Sequence, residues 1–242
     1  MATLDTLALV TLGHGPRPEY ETLFARFLAE AGLAPAIRAY HILDGVGRDA
    51  IAAMAADASE PAILSRVREA AGVVANRALS RQRLLPLIEA AIDSAEADGA
   101  DMTVICVAEY LPLRERPAPA LLPFTLLAAR LGALADADEP IALCAYGDRQ
   151  RVQQAETWEQ VGGFAGTRLR FFTADADAPR LLGEVRAAGA RLGAVLAFAY
   201  ATSDDASMEA FDMAQAEAGC TILLPIRVTV DAIVHGAGAA AS

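Results

Sequence analysis

The stretch LALVTLGHGPRPE, residues 7–19, is the part of the chain from which we infer the fold. Residues 7–12 form an apolar run that predicts a buried strand, and the glycines and prolines after it predict a turn. Apolar side chains then recur at helical spacing over residues 20–28, and Gly32 ends the predicted helix. Such a turn lies at the carboxyl end of a parallel strand, where free backbone N–H groups favour an anionic ligand. The residues that we expect to bind this ligand are Gly13, His14, Gly15 and Arg17.

Segments typical of strands and helices alternate along the rest of the chain. Further strands are predicted at 35–43, 73–75, 102–107, 141–146, 167–173, 192–199 and 220–224. The segments between them have helical spacing, including Ile63, Leu64 and Val67 on a predicted helix that ends at Gly72. Apolar strands alternating with helices predict parallel sheets covered on both faces, and the pattern restarts after the proline-rich segment 112–123.

We therefore expect an α/β fold of two similar lobes, with parallel sheets flanked by helices. The first lobe is predicted to contain residues 1–115 and 225–242, and the second residues 116–224. A cleft between two such lobes is the usual place for a ligand.

Composition excludes several classes of function. The formal net charge of −11 argues against nucleic acid as a partner. The longest uncharged apolar candidate, residues 192–203, is too short to span a membrane, and residues 1–10 lack the basic residues of a signal peptide. Three widely spaced cysteines argue against a disulfide framework, so we expect the protein to reside in the reducing cytoplasm. Three scattered histidines without neighbouring ligands predict no metal site.

Cys106 is the strongest candidate for a reactive side chain. It lies near the carboxyl end of the predicted strand 102–107, the edge of a parallel sheet where active-site residues collect. Glu109 and Tyr110 begin the loop that follows, and we expect them to contact the substrate. A thiol ionised by nearby arginines can act as a base or a nucleophile. Free cysteines are also among the most buried residues, so a structural role remains an alternative.

Three further side chains lie near the predicted edge. Asp44 follows a strand and precedes Gly45, which fits either a catalytic group or a turn aspartate. Arg17 has the donor geometry that a carboxylate prefers, or lies in solvent at the helix start. His14 is a candidate hydrogen-bond donor or acid–base group. The turn begins like a dinucleotide-binding motif, but Pro18 stands at the third glycine position, which disfavours a nucleotide-dependent oxidoreductase.

At these residues the chain resembles the AroM family, within the Asp/Glu racemase superfamily. Residues 11–18, TLGHGPRP, are similar to the family's opening T-I-G-Q-S-P-R-P, and residues 42–46, ILDGV, to its A-L-D-G-L. Residues 64–70 resemble L-V-T-R-L-R-D-G, and residues 106–110 fall on C-T-G-x-F. Gln150 and Trp158 fall on a Gln and a Trp of the family's second half.

The resemblance implies two α/β lobes and a cofactor-free site for a small carboxylate. Racemases of the superfamily use one cysteine from each lobe, on opposite sides of the substrate. Here residues 196–202, LAFAYAT, stand where relatives often carry D-C-M-G-Y, so the second cysteine is absent. A mechanism with two thiols is therefore not expected.

Two hypotheses follow. The first is a cofactor-independent isomerase or lyase in which Cys106 transfers a proton, while Asp44 orients the thiol or binds a substrate amine. The opposite face would be supplied by Tyr200 as a catalytic group and by Thr202 and Ser203 as substrate-binding groups. The second is a carboxylate-binding protein of the same fold without catalysis. A homodimer is compatible with aromatic residues that we expect at the cleft rim, which are Phe124, Phe164 and Tyr200.

Overall fold

The computed structural model describes residues 4–116, 120–145, 147–173, 178–198 and 205–239. Backbone contacts divide the chain into two compact units. The first contains Met1–Val107, Leu111–Leu122 and Ile233–Ser242, and the second contains Ala108–Tyr110 and Pro123–Ala232. No helix among the described residues is long and apolar enough to cross a membrane.

The first unit contains a parallel four-stranded sheet. Its strands are β1 (Thr6–Thr11), β2 (Ala36–His41), β5 (Met102–Ile105) and β6 (Ala120–Leu121), in the order β2-β1-β5-β6. The helices of this unit's sequence are α1 (Pro18–Glu30), α2 (Arg48–Ala53) and α3 (Arg81–Ala97). Strand β1 is central and almost wholly buried, as its apolar run predicts. Its carboxyl end therefore delivers residues 12–17 to one edge of the sheet.

A two-stranded antiparallel hairpin interrupts the α/β pattern of the first unit. Strand β3 (Ala62–Arg68) pairs with β4 (Val74–Ser80), and a short 3-10 turn, Ala70–Gly72, joins them. The helix predicted from Ile63, Leu64 and Val67 is therefore wrong. Ile63 and Val67 are buried while Leu64 is 58% exposed, which is the alternation of a strand with one covered face.

The second unit contains another parallel sheet, in the order β10-β9-β7-β8. Its strands are β7 (Ile141–Ala145), β8 (Leu169–Thr173), β9 (Leu192–Val195) and β10 (Thr221–Leu223). The helices around it are α4 (Pro123–Leu134), α5 (Gly147–Gln160), α6 (Ala178–Ala187) and α7 (Asp205–Ala218), and α8 (Pro225–Ala239) follows the last strand. Strand β9 ends four residues before the predicted limit of Ala199. The predicted fold class, α/β with parallel sheets flanked by helices, is confirmed in both units.

Candidate functional site

The turn after β1 is held by hydrogen bonds within the first unit. Gly13 N–H donates to the Thr11 carbonyl at 3.0 Å, and His14 N–H donates to the carbonyl of Arg66 on the hairpin at 2.8 Å. Gly15 N–H donates to Asp44 Oδ1 at 3.2 Å. All three N–H groups are thus occupied, so the expectation that they are free for an anion is wrong. An anion bound at this turn cannot use these three N–H groups unless it displaces their present acceptors.

Both glycines of the turn lie where a side chain would clash. A Cβ atom on Gly13 would lie 2.6 Å from the Arg66 carbonyl oxygen. A Cβ atom on Gly15 would overlap the imidazole ring of His41, whose Nδ1 lies 2.7 Å from Thr11 Oγ1. The glycines therefore serve the close packing of the turn against β3 and the end of β2. Their assignment as ligand-binding residues stays a prediction.

Arg17 is the most enclosed cationic group of the turn, with a side chain only 16% exposed. Its Nε donates to Glu19, its Nη2 donates to the Tyr20 hydroxyl at 2.7 Å, and its guanidinium lies 4.3 Å from the Tyr20 ring centroid. Among the described residues the Nη1 group makes no hydrogen bond. The guanidinium is thus fixed on two sides and keeps donors for an oxyanion.

The hairpin brings two more arginines to the turn. Arg66 Nη1 lies 3.7 Å from Glu19 Oε1, and Arg68 Nη2 donates to the Gly15 carbonyl. Arg68 N–H also donates to His14 Nδ1 at 3.0 Å. Because Nδ1 accepts that bond, neutral His14 carries its proton on Nε2, and it can offer a ligand a donor there.

Cys106 follows β5 directly beside the end of β1. Its N–H donates to the Val10 carbonyl at 2.8 Å, and only 5% of the residue is exposed. Burial raises the pKa of the thiol far above its ordinary range, and the positive charge of Arg17 opposes that shift only in part. Burial therefore favours the neutral form of the thiol, and its ionisation by nearby arginines stays a prediction. Its catalytic role stays a prediction.

Tyr20 completes this group and was not predicted as a site residue. Its position in the apolar stripe of α1 made it look like an ordinary core residue. Its ring is buried, and burial raises the pKa of its hydroxyl to about 12 although Arg17 favours the charged form. A charge on Cys106 would raise the pKa of Tyr20 further. Arg66 and Arg68 were missed because they lie on the hairpin predicted as a helix.

Asp44 lies in the exposed loop after β2, and its carboxylate holds the turn through Gly15. This contact fits the turn aspartate that the sequence allows as well as a catalytic group. Tyr200, Thr202 and Ser203 lie outside the described residues, so their predicted roles have no structural description.

Glu109 and Tyr110 belong to the second unit. Gln150, in the first turn of α5, donates to Glu109 Oε1 at 3.2 Å and to the Leu196 carbonyl at 3.0 Å. Tyr110 packs on Phe124 with ring centroids 5.5 Å apart. Gln150 thus joins the segment after Cys106 to the carboxyl edge of the second sheet. Whether Glu109 and Tyr110 bind substrate stays a prediction.

A family model described as AroM protein matches residues 7–233. The chain belongs to the AroM family. The match spans both units, and the predicted membership is confirmed. A search of curated proteins found no match to this AroM chain.

Solved structures with a similar fold are Asp/Glu racemase-like proteins. This AroM chain is similar to a candidate Asp/Glu racemase from Yersinia pestis, with a TM-score of 0.51 and 13% identity over 96% of this chain and 99% of that one. It is also similar to the aspartate racemase of Picrophilus torridus, with a TM-score of 0.51 and 7% identity over 97% of this chain and 94% of that one. At such identities the likeness shows the fold alone.

Among the described residues, no group of three or more His, Cys, Asp or Glu side chains is arranged to hold a metal ion. The chemistry available near the turn is that of a buried thiol, a buried phenol and guanidinium groups. Such a set can neutralise an oxyanion and can supply a proton.

Proposed function

We propose that the chain is a cofactor-independent isomerase or lyase that acts on a small carboxylate through the single thiol of Cys106. The observation that carries the proposal is the grouping of Cys106, Arg17 and Tyr20 in the first unit: the Cys106 N–H is bonded to Val10 on β1, and β1 leads into the turn where Arg17 donates to Tyr20. Membership of the AroM family and the racemase-like fold support the same reaction class.

The protonation state of the thiol favours proton donation. A neutral thiol is a general acid, whereas a base or nucleophile requires the thiolate. In the lyase reaction a bound carboxylate loses carbon dioxide and leaves a carbanion. The S–H bond of Cys106 then breaks and a C–H bond forms on that carbon. The electron pair left on sulfur is stabilised by Arg17 until water returns a proton.

The other side chains of the turn bind rather than react in this proposal. The Arg17 guanidinium and His14 Nε2 donate to the substrate carboxylate, while Asp44 keeps the turn in place through Gly15. Glu109 and Tyr110 are proposed substrate contacts in the second unit, and Tyr200, Thr202 and Ser203 are proposed for the opposite face.

A carboxylate-binding protein without catalysis is the second candidate, and the burial of Cys106 favours it. A thiol that is 5% exposed and neutral is also what a purely structural cysteine would be. Under this alternative the arginines and His14 bind an anion and the thiol only fills space.

Solvent-exchange measurements separate the two candidates. We expect the protein to convert a member of a panel of small carboxylates in D2O, including malonate and its 2-substituted derivatives, and to incorporate deuterium at the carbon that receives the proton. Cys106→Ala should lower turnover by about 100-fold or more, the usual contribution of a general acid. Cys144→Ala, a buried thiol in the second unit, is the matched control and should retain full turnover. Binding without turnover or exchange in the wild type would favour the non-catalytic protein.

Location and assembly remain part of the proposal. The three cysteines are free thiols, which supports a reducing compartment such as the cytoplasm. A small carboxylate is the proposed partner, with neither nucleic acid nor membrane involved. A homodimer stays a prediction, but the expectation that Phe124 and Phe164 are exposed at a rim is wrong, because both are buried against Trp158.

A further inference from the structure

Glu19 places a carboxylate between two arginines of the first unit. Its Oε1 accepts the hydrogen bond from Arg17 Nε, and the same oxygen lies 3.7 Å from Arg66 Nη1. Arg17 belongs to the turn after β1, and Arg66 belongs to the hairpin strand β3. One carboxylate oxygen therefore links two separate elements through two guanidinium groups, an arrangement that a ligand carboxylate would also adopt.

The three side chains differ in their exposure to solvent. Glu19 is 40% exposed, whereas Arg66 is 34% and Arg17 16% exposed. Glu19 can therefore turn into water by side-chain rotation alone, while Arg17 stays in place through Tyr20. The position between the arginines is thus one that an anion can enter when Glu19 leaves it.

The hydrogen bonds of the turn leave few other donors for an anion. The N–H groups of Gly13, His14 and Gly15 are all occupied within the first unit. The strongest remaining donors are guanidinium groups, and Glu19 already lies against two of them. A ligand carboxylate that binds Arg17 Nε and Arg66, rather than the open Arg17 Nη1, must therefore compete with Glu19.

We infer that Glu19 is an internal stand-in for the ligand carboxylate, which displaces it from Arg17 and binds to both Arg17 and Arg66. This assigns a ligand-binding role to Arg66 and makes Glu19 a determinant of anion affinity. The inference rests on the proposed function insofar as that function supplies a carboxylate ligand. Ionisation of Glu19 agrees with it: burial raises the pKa of Glu19, but the hydrogen bonds from Arg17 and from the Glu19 backbone, together with the charges of Arg17 and Arg66, hold it below its ordinary range.

If Glu19 and a ligand carboxylate compete for the same two arginines, removing the Glu19 charge should tighten anion binding. We would measure malonate binding by isothermal titration calorimetry at pH 7.5 and constant ionic strength. Glu19→Gln should bind malonate about two- to fivefold more tightly than the wild type, the equivalent of one exposed ion pair. Glu21→Gln is the matched control, because it removes the same charge from the same helical turn and Glu21 forms no ion pair with the described residues.

A double-mutant cycle completes the test. Arg66→Gln should weaken malonate binding, and it should cancel the gain in Glu19→Gln because the shared partner is lost. Equal affinities in Glu19→Gln and Glu21→Gln, weaker binding in Glu19→Gln, or no malonate binding by any variant would each overturn the inference. A failure of the thiol chemistry remains distinguishable, because Cys106→Ala would then show no catalytic defect while the pattern of malonate affinities persists.

Discussion

Replacing Cys106 by alanine should change how the stability of the protein depends on alkaline pH. The folded structure keeps the Cys106 thiol neutral because burial raises its pKa. An unfolded chain exposes the same thiol to water, where it ionises with a pKa of about 8.5. The unfolded state therefore loses protons that the folded state retains, and the free energy of unfolding falls as the pH rises above the unfolded value. Alanine cannot titrate and removes this loss.

The size of the effect follows from the same linkage. Between pH 7 and pH 10, a thiol that stays neutral only in the folded state should lower the free energy of unfolding by about 2 kcal/mol. Cys144 behaves similarly, because burial raises its pKa to about 12. We therefore expect these two thiols together to lower the free energy of unfolding of the wild type by about 4 kcal/mol between pH 7 and pH 10. In Cys106→Ala the decrease should be about half as large.

Urea unfolding followed by circular dichroism at pH 7, 8, 9 and 10 measures this dependence. Cys144→Ala is the matched control, since it should reduce the alkaline loss by a similar amount from the second unit. If Cys106→Ala lost stability with pH as steeply as the wild type, the thiol would ionise in the folded protein as readily as in the unfolded chain. That result would refute the argument from burial and would make a thiolate base available at alkaline pH.

Two further pairs of substitutions, each a test with its control, examine the packing that shapes the candidate site and the first unit. Gly15→Ala should destabilise the protein by about 1–3 kcal/mol, because its Cβ would overlap the His41 ring, whereas Gly47→Ala, with open space around it, should stay within about 0.5 kcal/mol in the same urea assay. Arg116→Met should lower the free energy of unfolding by about 2–3 kcal/mol, because it removes a guanidinium, only 3% exposed, that pairs with three carboxylates of α3. Arg114→Met, at 58% exposure, should cost less than about 1 kcal/mol in thermal or urea unfolding.

The elements that the sequence predicts correctly are those whose burial is uniform. The apolar run of residues 7–12 becomes a central strand because both of its faces are covered, and no tertiary detail is needed to predict that. The hairpin is different. Its inward face includes the polar residue Ser65, and its outward face includes the apolar residue Leu64, so hydrophobicity does not alternate along β3 although burial does. Ile63, Leu64 and Val67 then match helical spacing by coincidence.

The sequence predicts several residues of the candidate site but not the hydrogen bonds that they make. The sequence identifies Arg17, Cys106 and Asp44 because they follow strand ends, where parallel sheets collect functional groups. It cannot show that His14 N–H donates to the Arg66 carbonyl, because that partner lies 52 residues away on a hairpin whose type was predicted wrongly. Local sequence patterns indicate where strands end, whereas tertiary contacts determine which backbone N–H groups already have a hydrogen-bond acceptor.

The ion pair between Arg17 and Glu19 connects the two proposals, because it bears on whether Cys106 would donate or accept a proton. In the free protein, Arg17 is paired with the Glu19 carboxylate, and its remaining influence on Cys106 is too weak to overcome burial. When a ligand carboxylate replaces Glu19, one negative charge is exchanged for another beside the same guanidinium. The electrostatic environment of the thiol is then nearly unchanged, so binding does not ionise it. In the proposed reaction, a thiol that stays neutral before and after binding is suited to donate a proton to a carbanion rather than to remove one. Under the same proposal, the exchange leaves Arg17 available to stabilise the thiolate that proton donation would create.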